Sequence, residues 1–162
     1  MEESLRNGTD TAAGSCADRE GASDFASLVD SALNLPRRDW SQYSPLTLAW
    51  IGDTVCDLVV RTALLKRANM QTDKLHRKAS SIVNARSQAK RMQEIRAQLT
   101  DRELSIYRRG RNASPGHTAR NADRSEYLEA TGFECLVGYL YLERQYSRLL
   151  QLMGEIGEQE WD

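Results

Sequence analysis

Apolar positions recur along this chain at spacings of three and four, the period of helices that bury one face. Phe25, Leu28, Val29, Ala32 and Leu33 predict an entry helix closed by Pro36. Ser44-Pro45 reads as a helix start, with proline at the first helical position where its missing N–H costs nothing. The helix it opens is expected to run to about Lys66. Leu48, Ile51, Val55, Leu58, Val59, Thr62 and Leu65 form one stripe, and a second, mostly apolar face holds Ala49, Trp50, Cys56 and Val60 around Asp53 and Asp57. A helix apolar nearly all round is covered on several sides. A second long helix is predicted from about Thr72 to Leu99, its inner side carrying Leu75, Ala79, Ile82, Val83, Ala89, Met92, Ile95 and Leu99. Thr100-Asp101-Arg102-Glu103 has the form of a capping box and opens a helix to about Arg109. A loop is expected from Arg108 to about Ala122. Asp123-Arg124-Ser125-Glu126 then begins a helix carrying Tyr127, Ala130, Phe133, Val137, Leu140 and Tyr141, and a last helix follows from about Tyr146 to Gly154 or somewhat further. No segment has period two, so the fold class is all-α. Residues 1–23, rich in Gly, Ser, Thr, Asp and Glu, read as a disordered leader, and 24–162 as a single domain with its core at 43–153.

Composition narrows the function. At 162 residues there is room for one domain of ordinary size, and no apolar run approaches the roughly 20 residues of a membrane span. No signal-peptide core stands in the first 35 residues, so a cytoplasmic protein is expected. Cys16, Cys56 and Cys135 with only His76 and His117 make neither a disulfide framework nor a zinc finger. The net charge of -1 hides a division: from Arg61 to Arg120 there are 15 Lys and Arg against 4 Asp and Glu, a regional +11, and the remainder carries -12. Such a basic region suits a phosphate polyanion, although Lys and Arg also serve solubility on exposed helices.

Two apolar helices each carry an acid in their middle, Asp53 in one and Glu134 in the other. Carboxylates among apolar residues are costly unless hydrogen-bonded, protonated or bound to a cation. Two together would suit a hard oxygen-liganded ion such as Mg²⁺ and metal-assisted phosphodiester hydrolysis; bonded to a helix end or an arginine, each would be structural. His76 and His117 need no catalytic role in either case.

Leu48-Ala49-Trp50-Ile51-Gly52-Asp53-Thr54-Val55 resembles the signature helix of the ribonuclease III family, and Phe133-Glu134-Cys135-Leu136-Val137-Gly138 its second acidic segment. Leu75-His76-Arg77, Arg109-Gly110-Arg111-Asn112-Ala113 and Gly138-Tyr139-Leu140-Tyr141-Leu142 are similar to the short form, the mini-ribonucleases III. The resemblance spans about Tyr43 to Met153. It implies an all-α, homodimeric, Mg²⁺-dependent endoribonuclease that cuts double-stranded RNA to 5′-phosphate and 3′-hydroxyl ends and needs no organic cofactor. Its substrate would be precursor ribosomal RNA, in large-subunit (23S) maturation.

Asp53 and Glu134 match the catalytic, metal-holding acids of the two segments. Ala49 and Thr131 stand where full-length enzymes have further acids, as the short form also does, so water or RNA oxygen would complete the metal shell. Asp57 falls where the short form tends to have an acid, either behind the metal ligands or at a subunit boundary. Nothing after the last helix resembles the appended RNA-binding domain of longer relatives, so RNA contact is expected from Arg109, Arg111 and Asn112 on the loop, with Lys74, Arg77, Lys78 and Arg86 as a second footprint. The helix starting at Pro45, apolar on both faces, would pair the two subunits. The rivals are a catalytically silent double-stranded RNA-binding protein on the same fold and a helical module for an acidic protein partner.

Overall fold

The computed structural model describes residues 24–113 and 121–154, and every regular element among them is helical. The leader expected at 1–23, and His117 with its neighbours, lie outside the described residues. The chain divides into two units, 1–36 and 37–162. In the first, α1 runs Phe25–Leu33 as its apolar spacing predicts. The Asp24 side chain accepts a hydrogen bond from the Ser27 N–H at 2.9 Å, and Asn34, at φ 51°, ends the helix in the left-handed region that Asn tolerates.

The second unit holds α2 (Pro45–Arg67), α3 (Thr72–Ile82), α4 (Ala85–Ile95), α5 (Asp101–Asn112), α6 (Asn121–Leu142) and α7 (Tyr146–Met153). A 3-10 turn at Trp40–Gln42 precedes α2, and another at Arg96–Gln98 follows α4. Pro45 occupies the first turn of α2, as its sequence suggests. The capping box of α5 forms with both bonds, Thr100 N–H to Glu103 Oε2 at 2.8 Å and Glu103 N–H to Thr100 Oγ1 at 3.3 Å.

Three expectations change. The single helix predicted from Thr72 to Leu99 is broken at Val83-Asn84, because the Asn84 side chain accepts from the Ser87 N–H at 2.9 Å as an N-cap while its Nδ2 donates to the carbonyls of Ser80 and Ser81. The loop expected from Arg108 begins later, since α5 continues to Asn112, and α6 begins at Asn121. The faces of α2 are also redistributed. Cys56, Val60 and Leu64 are buried with Leu48, Ala49 and Val55, whereas Leu58, Thr62 and Leu65 face solvent with Trp50.

The centre of this unit is the packing of α6 against α2, α4 and α5. A Cβ on Gly52 would stand 1.8 Å from the Glu134 carbonyl oxygen, and one on Gly138 would stand 2.0 Å from that of Leu48. Backbones meet there without side chains between them. Because the lower-numbered α2 residue meets the higher-numbered α6 residue, the two helices run antiparallel. Glycine inside a helix costs roughly 1 kcal/mol relative to alanine, a loss that the close packing on either side must offset. Leu48, Val55, Met92, Ile95, Ile106, Tyr107, Phe133, Leu136, Val137, Leu140, Leu149 and Leu152 fill the core. The end of α2 makes a smaller cluster with α3 through Val60, Leu64 and Ala79. α7 is tied back by polar contacts: Arg148 Nε to Glu103 Oε1 at 2.8 Å, and Arg91 Nε to the Leu152 carbonyl at 2.8 Å.

Candidate active site

The tight crossing of α2 and α6 decides where the two acids stand. Asp53 follows Gly52 directly, and the carbonyl that Gly52 approaches belongs to Glu134 itself. The residues singled out on two distant helices therefore come together. Their side chains sit in different surroundings: Asp53 is exposed, which corrects the expectation that it is buried, and Glu134 is half-buried. Burial, and then the neighbouring charge of Asp53, push the Glu134 carboxyl up to about 7, with the Gln88 side chain acting in the opposite direction. Cys56, buried beneath them, has its thiol pushed well above the usual range by burial and then by the charges of Glu134, Asp53 and Asp57. Three carboxylates thus share one neighbourhood, although among the described residues no three His, Cys, Asp or Glu are arranged to hold a metal ion. Asp57 turns to Arg61, one turn along α2, at 2.7 Å.

Gln88 is the residue that the sequence reading missed. It lies on α4 with 5% of its surface exposed, its amide acts on the Glu134 carboxyl, and yet its Nε2 makes no hydrogen bond of proper geometry. A buried donor left without a partner costs about 1–3 kcal/mol. The available signal was positional: Gln88 stands four residues before Met92 and seven before Ile95, a polar residue in an apolar stripe.

Ala49 and Thr131, the two departures from the longer enzymes, are both buried, and Thr131 donates its hydroxyl to the Tyr127 carbonyl at 2.9 Å. Neither adds an acid.

The basic residues are more dispersed than expected. Arg109 and Arg111 belong to the last turn of α5 rather than to a loop, because that helix runs on to Asn112. The Arg109 guanidinium donates to the carbonyls of Ser41 and Tyr43, the latter at 2.8 Å, and Arg111 donates its Nε to Glu129 at 2.7 Å. Glu129 also accepts from the buried Tyr107 hydroxyl and pairs with Arg96 at 3.4 Å, so this end of α5 is stitched onto α6. Asn112 is exposed beside them. Lys74 and Arg77 are exposed on α3 with Lys78 half-buried, and Arg86 on α4 is exposed and 3.4 Å from Glu126.

With that geometry in view, the comparisons with known proteins are specific. The family model for the ribonuclease III domain matches residues 46–145, most of the second unit. The chain belongs to the ribonuclease III family. Within this family it is similar to the mini-ribonuclease 3 of Symbiobacterium thermophilum, 43% identical over 109 residues that cover 67% of this chain and 84% of that protein. The mini-ribonuclease 3 of Enterococcus faecalis is 42% identical over 118 residues, covering 72% and 89%. A crystal structure of a Fusobacterium nucleatum protein superposes with a TM-score of 0.64 at 26% identity, covering 72% of this chain and 93% of that one. The all-α fold is thus that of the ribonuclease III family, and Asp53 on α2 and Glu134 on α6 both lie within the matched region.

Proposed function

We propose that this ribonuclease is an endonuclease for double-stranded RNA, with Asp53 and Glu134 holding a divalent cation, Mg²⁺ by the chemistry of its ligands. The observation that carries this reading is the meeting of the two acids at the α2–α6 crossing. The residues fit such an ion. Mg²⁺ is commonly held by one or two carboxylates with water and phosphate oxygen completing its shell. A cation held between the two would offset the burial and the Asp53 charge that raise the Glu134 carboxyl. When bound, the cation supplies an activated water and stabilises charge on the leaving oxygen of the phosphodiester.

Asp53 is open to solvent and Glu134 is set deeper; together they would hold the ion where RNA can reach it. Their placement across two helices whose backbones touch keeps the pair from drifting apart. Products with 5′-phosphate and 3′-hydroxyl ends follow from breaking the bond between the phosphorus and the 3′ oxygen. Lys74, Arg77, Lys78 and Arg86 supply backbone contacts along the duplex, with Asn112 at the end of α5. Arg109 and Arg111 hold that end in place, and each guanidinium, with five donors in all, has more to offer a phosphate than its present partners take. Two subunits would cut the two strands. The proposed substrate is precursor large-subunit ribosomal RNA in the cytoplasm; among the described residues no helix is long and apolar enough to cross a membrane.

The test is incubation of the purified chain with plain duplex RNA, with and without Mg²⁺, followed by mapping of the ends. Asp53→Asn is expected to lower cleavage by more than about 100-fold, beyond the ~10–100-fold that partners outside the metal shell cost, while salt-dependent duplex binding persists. Undiminished cleavage in EDTA, or by Asp53→Asn, would refute the assignment.

A further inference from the structure

Gln88 is not explained by packing alone. Its neighbours on the inner side of α4, Ala89, Met92 and Ile95, are apolar and buried in the core, and a leucine or methionine would fill the same space without a polar group to satisfy. Its Nε2 is buried and lacks a partner among the described residues. The group it acts on is the Glu134 side chain, and α4 is packed directly against α6. The amide is therefore within reach of the Glu134 carboxylate, short of a well-formed hydrogen bond, and has no other partner among the described residues.

We propose that Gln88 is a positioning residue for Glu134: its Nε2–H donates to one carboxylate oxygen and leaves the other free to hold a cation. The proposal rests on Glu134 being a cation ligand. Such outer partners orient the ligand, and their loss typically weakens metal binding or activity by about 10–100-fold. Nothing in this role requires Gln88 to touch RNA or metal. It accounts for a buried amide on α4 that acts on the Glu134 side chain.

The experiment compares wild type, Gln88→Met, Gln88→Leu and Glu134→Gln by calorimetric titration with Mn²⁺ alone, alongside thermal melts in EDTA. Gln88→Met and Gln88→Leu keep the volume and remove the donor. Both are expected to melt no lower than wild type in EDTA, since an unsatisfied amide has gone, yet to bind Mn²⁺ about 10–100-fold more weakly. Cleavage measured against Mg²⁺ concentration should shift to higher concentration by the same factor, with KM for duplex RNA unchanged.

A purely structural Gln88 would lower the melting temperature and leave Mn²⁺ affinity alone, and that result overturns the proposal. A wild type that binds no Mn²⁺ would instead overturn the reading of Glu134 on which it rests. If neither variant folds, the side-chain amide resonances of Gln88 in the wild-type protein decide. They should shift on adding Mg²⁺ and not do so in Glu134→Gln, and unchanged resonances in wild type refute the proposal.

Discussion

Glu134 carries a pH dependence whose sign can be worked out. Its carboxyl is raised from 4.5 to about 7 by burial and by Asp53. Between those values the folded chain keeps a proton that the unfolded chain has released, so this group makes stability fall as pH rises, and the loss is complete above about 7. At about 1.4 kcal/mol per pKa unit, discounted because the side chain is only half-buried, the effect is on the order of 1–3 kcal/mol. Glu134→Gln is therefore expected to stabilise the cation-free protein at pH 8 and to make little difference near pH 4. Added Mg²⁺ should stabilise wild type at pH 8 and leave Glu134→Gln unchanged. Urea unfolding in EDTA and in Mg²⁺ at the two pH values checks this, and a Glu134→Gln chain less stable at pH 8 in EDTA would contradict it. At this scale the sequence was informative about Asp53 and Glu134 because their segments resemble a family signature. It said nothing of Gln88, whose role depends on how α4 turns toward α6. It also misplaced Arg109 and Arg111 on a loop, since a basic run with little beyond alanine between its charges shows no apolar stripe even where it is helical.

Glycines at a helix crossing act on whole elements. Ala at 52 or 138 would press a methyl group into the carbonyl of Glu134 or Leu48, at 1.8 and 2.0 Å, and backbone cannot yield as a flexible side chain does. The helices would have to separate. Gly52→Ala and Gly138→Ala are each expected to lower stability by about 1–3 kcal/mol or more, even though alanine in an isolated helix gains roughly 1 kcal/mol over glycine. Both should also impair cleavage in protein that remains folded, because the separation moves Asp53 away from Glu134. Urea midpoints together with cleavage rates test this; wild-type stability in both variants would mean that the crossing is looser than described. Helix existence and most termini were legible, as the matching bounds of α1, the Pro45 start of α2 and the capping box of α5 show. The break at Asn84 was not, because apolar period continues across it and only the side-chain bonds of Asn84 reveal that a new helix starts. The inner face of α2 was equally hidden: both faces are apolar, and periodicity cannot tell which one α6 will meet.

For the whole molecule the open question is what covers the outer face of α2. Trp50, Leu58 and Leu65 are 76%, 61% and 62% exposed, spaced by eight and seven residues so that they lie along one side of the helix. Large apolar side chains grouped this way mark an interaction surface. A second copy of the chain is the proposed occupant, since a two-fold axis through the middle of α2 would set the same stripe against itself and need no other surface to match. Such a pairing would bring a second copy of the proposed Asp53–Glu134 site into the assembly, as the proposed cutting of both strands of a duplex requires. Leu58 lies midway between Trp50 and Leu65, so Leu58→Glu would bring two like charges close to the axis. The variant is expected to sediment as a folded monomer where wild type sediments as a dimer, with Trp50 fluorescence moved to longer wavelength as the indole meets water. On duplex RNA it should nick single strands slowly instead of releasing fragments cut on both. If wild type is itself monomeric at tens of micromolar, or if Leu58→Glu remains dimeric, the α2 stripe has another occupant and the paired-site arrangement fails.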